Sequence, residues 1–121
     1  MANPYNVLIV DDDLDHLQIY GWILKQAGFT AIPCLVRRSG VELPQHPQVD
    51  LVILDYVLHC DLASPEVARL IKSAYADAPI VLLSDLDGLP RDVAPFVAQF
   101  VRKGEPQRLV DTVSRLLEAQ Q

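Results

Sequence analysis

Polarity changes along this chain in blocks. Val7-Leu8-Ile9-Val10, Leu51-Val52-Ile53-Leu54 and Ile80-Val81-Leu82-Leu83 are unbroken apolar runs rich in β-branched side chains. Runs this short, with no polar alternation, read as strands buried on both faces, as in a parallel sheet. They predict strands over 5–10, 50–55 and 79–84. Two weaker segments, 30–34 and 99–102, complete a set of five.

Between the strands the apolar spacing becomes helical. Leu17, Tyr20, Leu24 and Ala27, with Ile23 beside them, place a helix over 14–27, with Asp13 as N-cap and Gly28 just past its end. Ile19 and Trp22 fall on another side, either widening the core stripe or forming a partner-facing patch. Residues 37–43 can make only a stub of helix, because Pro44 and Pro47 close it. Ser64-Pro65-Glu66 starts a helix with a capping serine, an early proline and an acid at the positive dipole end, and Val67, Leu70, Ile71 and Ala74 supply its buried stripe. Residues 91–98 give a weak helix interrupted by Pro95. Pro106 opens a last one, with Leu109, Val110, Val113, Leu116 and Leu117 on its apolar face. This order favours a doubly wound α/β architecture: a five-stranded parallel sheet with helices on both faces and right-handed crossovers.

Length and charge narrow the function classes. The 121 residues suit one domain spanning 1–121. A net charge of −6 argues against direct nucleic-acid binding, which wants a basic face. No signal peptide or membrane-length apolar run is visible, and Cys34 and Cys60 lack metal or disulfide spacing, so a soluble cytoplasmic protein is expected.

Candidate chemistry collects at the ends of the strands, where open α/β sheets place their ligand sites. The first strand delivers Asp11 and Asp12, the third Asp55, the fourth Ser84 and the fifth Lys103. A carboxylate can act as a nucleophile toward phosphorus, and two more can hold Mg²⁺, the hard ion that an oxygen-rich cluster favours. Carboxylates that ligate a cation should be depressed in pKa and ionised at neutral pH. A lysine and a hydroxyl can each bind a phosphoryl oxygen. His16, His46 and His59 share no ligand spacing and read as surface residues, with a gating role open for His59 beside the site. Asp11, Asp13 and Asp15 mimic the start of a calcium loop, but His16 stands where that loop needs glycine and Trp22 where it needs glutamate.

With these residues in this order, the sequence resembles the receiver domain of two-component response regulators along essentially its whole length. The resemblance implies a CheY-like fold with strand order 2-1-3-4-5. It implies Asp55 as phosphoacceptor, Asp11 and Asp12 as the acidic pair that holds Mg²⁺, and the backbone carbonyl of Val57 as a further metal ligand. Ser84 corresponds to the switch hydroxyl, Phe100 to the switch aromatic and Lys103 to the phosphate-binding lysine. The expected donor is a sensor histidine kinase or histidine phosphotransfer protein, docking near the first helix. A downstream protein or effector domain would read the face made by the fourth helix, fifth strand and fifth helix. The domain would be a signalling switch that catalyses its own phosphorylation and dephosphorylation, not an enzyme acting on other substrates.

Four features depart from that pattern. Gly104 follows the lysine where the family commonly has a cis proline, so a trans Lys103–Gly104 bond is expected. Val57-Leu58-His59-Cys60-Asp61 replaces the usual turn after the phosphoacceptor. The stretch from Ser84 to Phe100 is about three residues short and contains Pro95, so its helix should be stunted. Asp85 follows the switch serine and would repel a phosphoryl group or narrow its access. Two other readings stand beside the first: a degenerate receiver that binds partners without phosphorylation, and a haloacid-dehalogenase-like phosphatase using Asp11-x-Asp13. The chain is short for the second, which also leaves Asp55 without a role.

Overall fold

A computed structural model describes residues 5–45, 48–58 and 60–119. Strands β1 (Asn6–Asp11), β2 (Thr30–Leu35), β3 (Leu51–Asp55), β4 (Ile80–Ser84) and β5 (Gln99–Arg102) form one parallel sheet in the order β2-β1-β3-β4-β5. Helices α1 (Leu14–Gln26), α2 (Ser64–Ala74) and α3 (Pro106–Glu118) cover its faces. Each apolar run divides between the two sides, as the period of two in a strand requires. Val7, Ile9, Leu51, Ile53, Val81 and Leu83 pack with α1 and α3, while Leu8, Val10, Val52, Leu54, Ile80 and Leu82 pack with α2.

Of the five expected helices, three form. Residues 36–50 contain no helix among those described; Arg37 and Gly40 exchange backbone hydrogen bonds of 3.0 Å in a tight turn instead. Pro44 forbids a helix from continuing there. The segment still does the work of one, because Val41, Leu43 and Val49 pack onto the core and the Tyr75 hydroxyl donates to the Pro44 carbonyl. Residues 91–98 reduce to a 3₁₀ turn, Ala94–Phe96, as the short connection and Pro95 imply. Phe96 is fixed there under the Arg69 guanidinium, 5.7 Å from the ring centre, and the Tyr56 hydroxyl donates to both Asp92 carboxylate oxygens at 3.2 Å.

Other expectations meet local corrections. Ala63, not Ser64, is the N-cap of α2; the Ser64 hydroxyl is buried and donates to the Tyr56 carbonyl, tying the helix start to β3. Leu70 and Ala74 face solvent, and Ala68 takes their place beside Val67 and Ile71. Ile19 and Trp22 are 55% and 65% exposed, so the core stripe of α1 does not reach them. Asp13 caps α1 as expected, its Oδ1 accepting from the N–H groups of Asp15 and His16 at 2.8 and 3.3 Å.

The Lys103–Gly104 bond is trans, and Gly104 turns the chain from β5 toward α3 with φ +87°. A Cβ at position 104 would meet nothing within 4 Å, so only backbone strain opposes a side chain there. Gly104→Ala is therefore expected to cost about 1–2 kcal/mol, read as a lower urea midpoint at unchanged slope. An unchanged midpoint would show that the turn tolerates a side chain.

Candidate functional site

Parallel strands end together, so β1, β3 and β4 deliver their last residues to one edge. Asp11, Asp55 and Ser84 close those strands at 1%, 3% and 3% exposure. They stand below a cleft of ≈ 620 Å³ whose lining includes Asp12, Asp55, Val57, Ser84, Asp85 and Lys103.

Lys103, one residue past β5, reaches back so that its Nζ lies 3.0 Å from Asp55 Oδ1. Burial alone would lower its pKa, but the hydrogen bond and charge of Asp55, with Asp11 and Asp85 beyond, raise it instead. The lysine therefore stays cationic beside a carboxyl group that is largely buried. Its own N–H donates to the Ser84 carbonyl at 2.9 Å, which locks the β4 and β5 ends together. Ser84 Oγ accepts from the Leu86 N–H at 3.0 Å.

Asp11 has no lysine of its own. Burial first, then the neighbouring Asp55 carboxyl, push its pKa from 3.8 up to about 7; the Asp13 N–H and His16 pull weakly the other way. The expected depression concerns a carboxylate that ligates a cation; the raise here comes from burial and the neighbouring carboxyl. A carboxyl buried beside a second one favours its protonated form, and a cation at the same place would favour the carboxylate. The donor set thus fits a divalent cation, whose oxygen ligands Asp11 and Asp55 would supply.

The site residues singled out from sequence fall into two groups. Asp12, Asp55, Val57, Ser84 and Lys103 line the cleft together, Asp11 is buried within 4.8 Å of Asp55 without lining it, and the Val57 N–H donates to Asp55 Oδ1 at 3.3 Å. Phe100 is not among that cleft's lining residues; it is half-buried on β5, packed beside the α2-side core. His46 and His59 lie outside the described residues. The ring of His16 is 38% exposed, as a surface residue would be, but its Nδ1 is buried. That nitrogen lies 3.4 Å from Asp11 Oδ2, and Asp11, His16 and Asp55 each place a ligand atom within 4.8 Å of the others. The signal was available, since side chains in the first turn of a helix lean toward its N-terminus, here toward the end of β1. Asp12 lines the cleft without belonging to that close group.

The fold has solved counterparts. Chemotaxis response regulator CheY4 of Vibrio cholerae superposes with a TM-score of 0.75 at 19% identity, covering 93% of this chain and 98% of that one. A two-component response regulator from Clostridium difficile gives 0.77 at 17% identity over 94% and 96%, and the BeF₃-activated DrrB receiver domain 0.75 at 22% over 95% and 98%. The chain has the CheY-like receiver fold. In sequence it is similar to the cell cycle transcriptional regulator CtrA of Caulobacter vibrioides, 30% identical over 90 residues, or 74% of this chain. The chain spans 38% of the length of that curated relative. No protein-family model matches it.

The Asp11 shift has a measurable consequence. In metal-free solution the folded carboxyl holds its proton to about pH 7 while the unfolded one releases it near 3.8. Folding stability from this group is therefore lost as pH rises between those values and is flat above them. Asp11→Asn should raise the melting temperature in chelator at pH 7.5 by about 5 °C or more, and by little at pH 4. Equal shifts at both pH values would overturn this account.

Proposed function

We propose that this chain accepts a phosphoryl group on Asp55 from a phosphohistidine donor and so switches its binding to a downstream protein. The observation that carries the reading is Asp55 itself: buried at the end of β3, held by Lys103 at 3.0 Å and open to the cleft. An Asp55 carboxylate oxygen would form the bond to phosphorus as the phosphorus–nitrogen bond of the donor breaks. The bonding pair would stay on the donor ring, whose proton on the other nitrogen lets it leave as neutral histidine, with an acyl phosphate formed on Asp55. Lys103 would release one carboxylate oxygen and bind a phosphoryl oxygen, and Ser84 would supply a hydroxyl once freed from the Leu86 N–H. A cation held by Asp11, Asp12, Asp55 and the Val57 carbonyl, for which Mg²⁺ is the expected ion, would supply charge neutralisation on the phosphoryl oxygens.

Capture of the phosphoryl group by Lys103 and Ser84 would bias a two-state equilibrium of the β4 and β5 ends, with Phe100 as its aromatic reporter. Leu14, Ile19 and Trp22 stand 56%, 55% and 65% exposed on α1, an apolar surface suited to a helical sensor kinase or phosphotransfer protein. The phosphatase reading finds less support, because the Asp13 side chain is engaged as the α1 cap.

Incubation with acetyl phosphate and Mg²⁺, followed by intact-mass measurement, tests the reading. One phosphate adduct is expected in the natural chain and none in Asp55→Asn, while Lys103→Ala should slow labelling by about 100-fold or more. Absence of an adduct from the natural chain at every Mg²⁺ concentration would sink the proposal. That outcome would favour the phosphorylation-independent partner module, a reading supported by the exposed Asp85 at the cleft.

A further inference from the structure

Within the cleft one polar group has no part in the chemistry above. His16 Nδ1 is buried from solvent without a hydrogen-bond partner, although the ring as a whole is 38% exposed. An unpaired buried ring nitrogen carries a desolvation cost that a ligand would relieve. It faces Asp11 Oδ2 at 3.4 Å, and with Asp11 and Asp55 it completes a set of three ligand atoms no more than 4.8 Å apart. An ion bonded at about 2.1 Å to several ligands separates neighbouring ones by roughly 3 Å and opposite ones by roughly 4.2 Å. Small side-chain adjustments therefore bring all three onto one ion.

The ring has neighbours on two sides. Tyr20, one turn further along α1, packs against it with centroids 6.0 Å apart and planes tilted by 59°. The other nitrogen, Nε2, points toward the cap residue, 3.8 Å from Asp13 Oδ2. That separation is too long for a hydrogen bond, but it sets a carboxylate on the far side of the ring, the side from which metal-bound histidines are usually oriented, while the near nitrogen faces Asp11.

We infer that His16 Nδ1 is a nitrogen ligand beside the Asp11 and Asp55 carboxylates, and that the site prefers a first-row transition ion such as Mn²⁺ to Mg²⁺. Mg²⁺ seeks oxygen and keeps its water, whereas imidazole suits the transition series. The inference rests on the reading of this cleft as a cation-dependent phosphoacceptor site and specifies which cation its donor set selects.

Electron spin-echo spectroscopy of the full chain loaded with Mn²⁺, together with Mg²⁺ competition calorimetry at fixed pH, tests it. The natural chain should show coupling to one imidazole nitrogen, lost in His16→Gln. The Mn²⁺-to-Mg²⁺ affinity ratio should fall by about tenfold or more in that variant. Bound Mn²⁺ without nitrogen coupling in the natural chain overturns the inference, and needs no variant to fold. So does an unchanged affinity ratio in a folded His16→Gln. If nitrogen coupling is absent while Mg²⁺ still supports acetyl phosphate labelling, only the histidine assignment falls. If neither ion binds, the cation-dependent reading of the cleft falls with it.

Discussion

Burial of two carboxyl groups side by side is the constraint around which this molecule is built. Asp11 and Asp55 end adjacent strands, and each lies almost wholly out of water. Like charges so placed repel strongly, and the fold answers with one ammonium, Lys103, brought from the far side of β4. That answer is incomplete, since it satisfies Asp55 and leaves Asp11 tending to keep a proton near neutral pH. The site is thus primed for more positive charge, and a parallel sheet makes this possible by collecting the ends of all its strands at one edge.

The two sheet faces are closed by different means. One carries two full helices, α1 and α3, over a continuous apolar layer. The other carries a single helix, and loop residues such as Val41, Leu43, Tyr75 and Phe96 supply what further helices would have buried. The apolar requirement of the sheet is met on both sides, while local helix formation is dispensed with where proline intervenes. The tie from Tyr56 to Asp92 joins the residue after Asp55 directly to the shortened connection between β4 and β5. Movement at the end of β3 therefore has a route into that connection without a fourth full helix.

Strands were the most legible part of the sequence, because runs such as Leu51–Asp55 have no other compact use at that length. Helices were legible where spacing and caps agreed, as at Asp13 and Pro106, and less so where a plausible start signal had another role. Ser64 looked like a cap because serine before proline commonly is one, yet its hydroxyl is used by a distant carbonyl that no local pattern reveals. Asp55, Ser84 and Lys103 could be placed together because strand-end position alone brings them to one edge. His16 escaped that logic, since it approaches from a helix and its relation to Asp11 depends on side-chain direction in three dimensions.

One feature of β2 bears on assembly. This strand borders the sheet, and Pro33 at its middle has no N–H to offer a neighbouring strand. The opposite border, β5, has four residues and ends in a charged arginine. Neither border presents the long, regular row of donors and acceptors on which another polypeptide could template itself. Association of this molecule with its own copies is thereby steered away from continuous sheets and into contacts between side-chain surfaces.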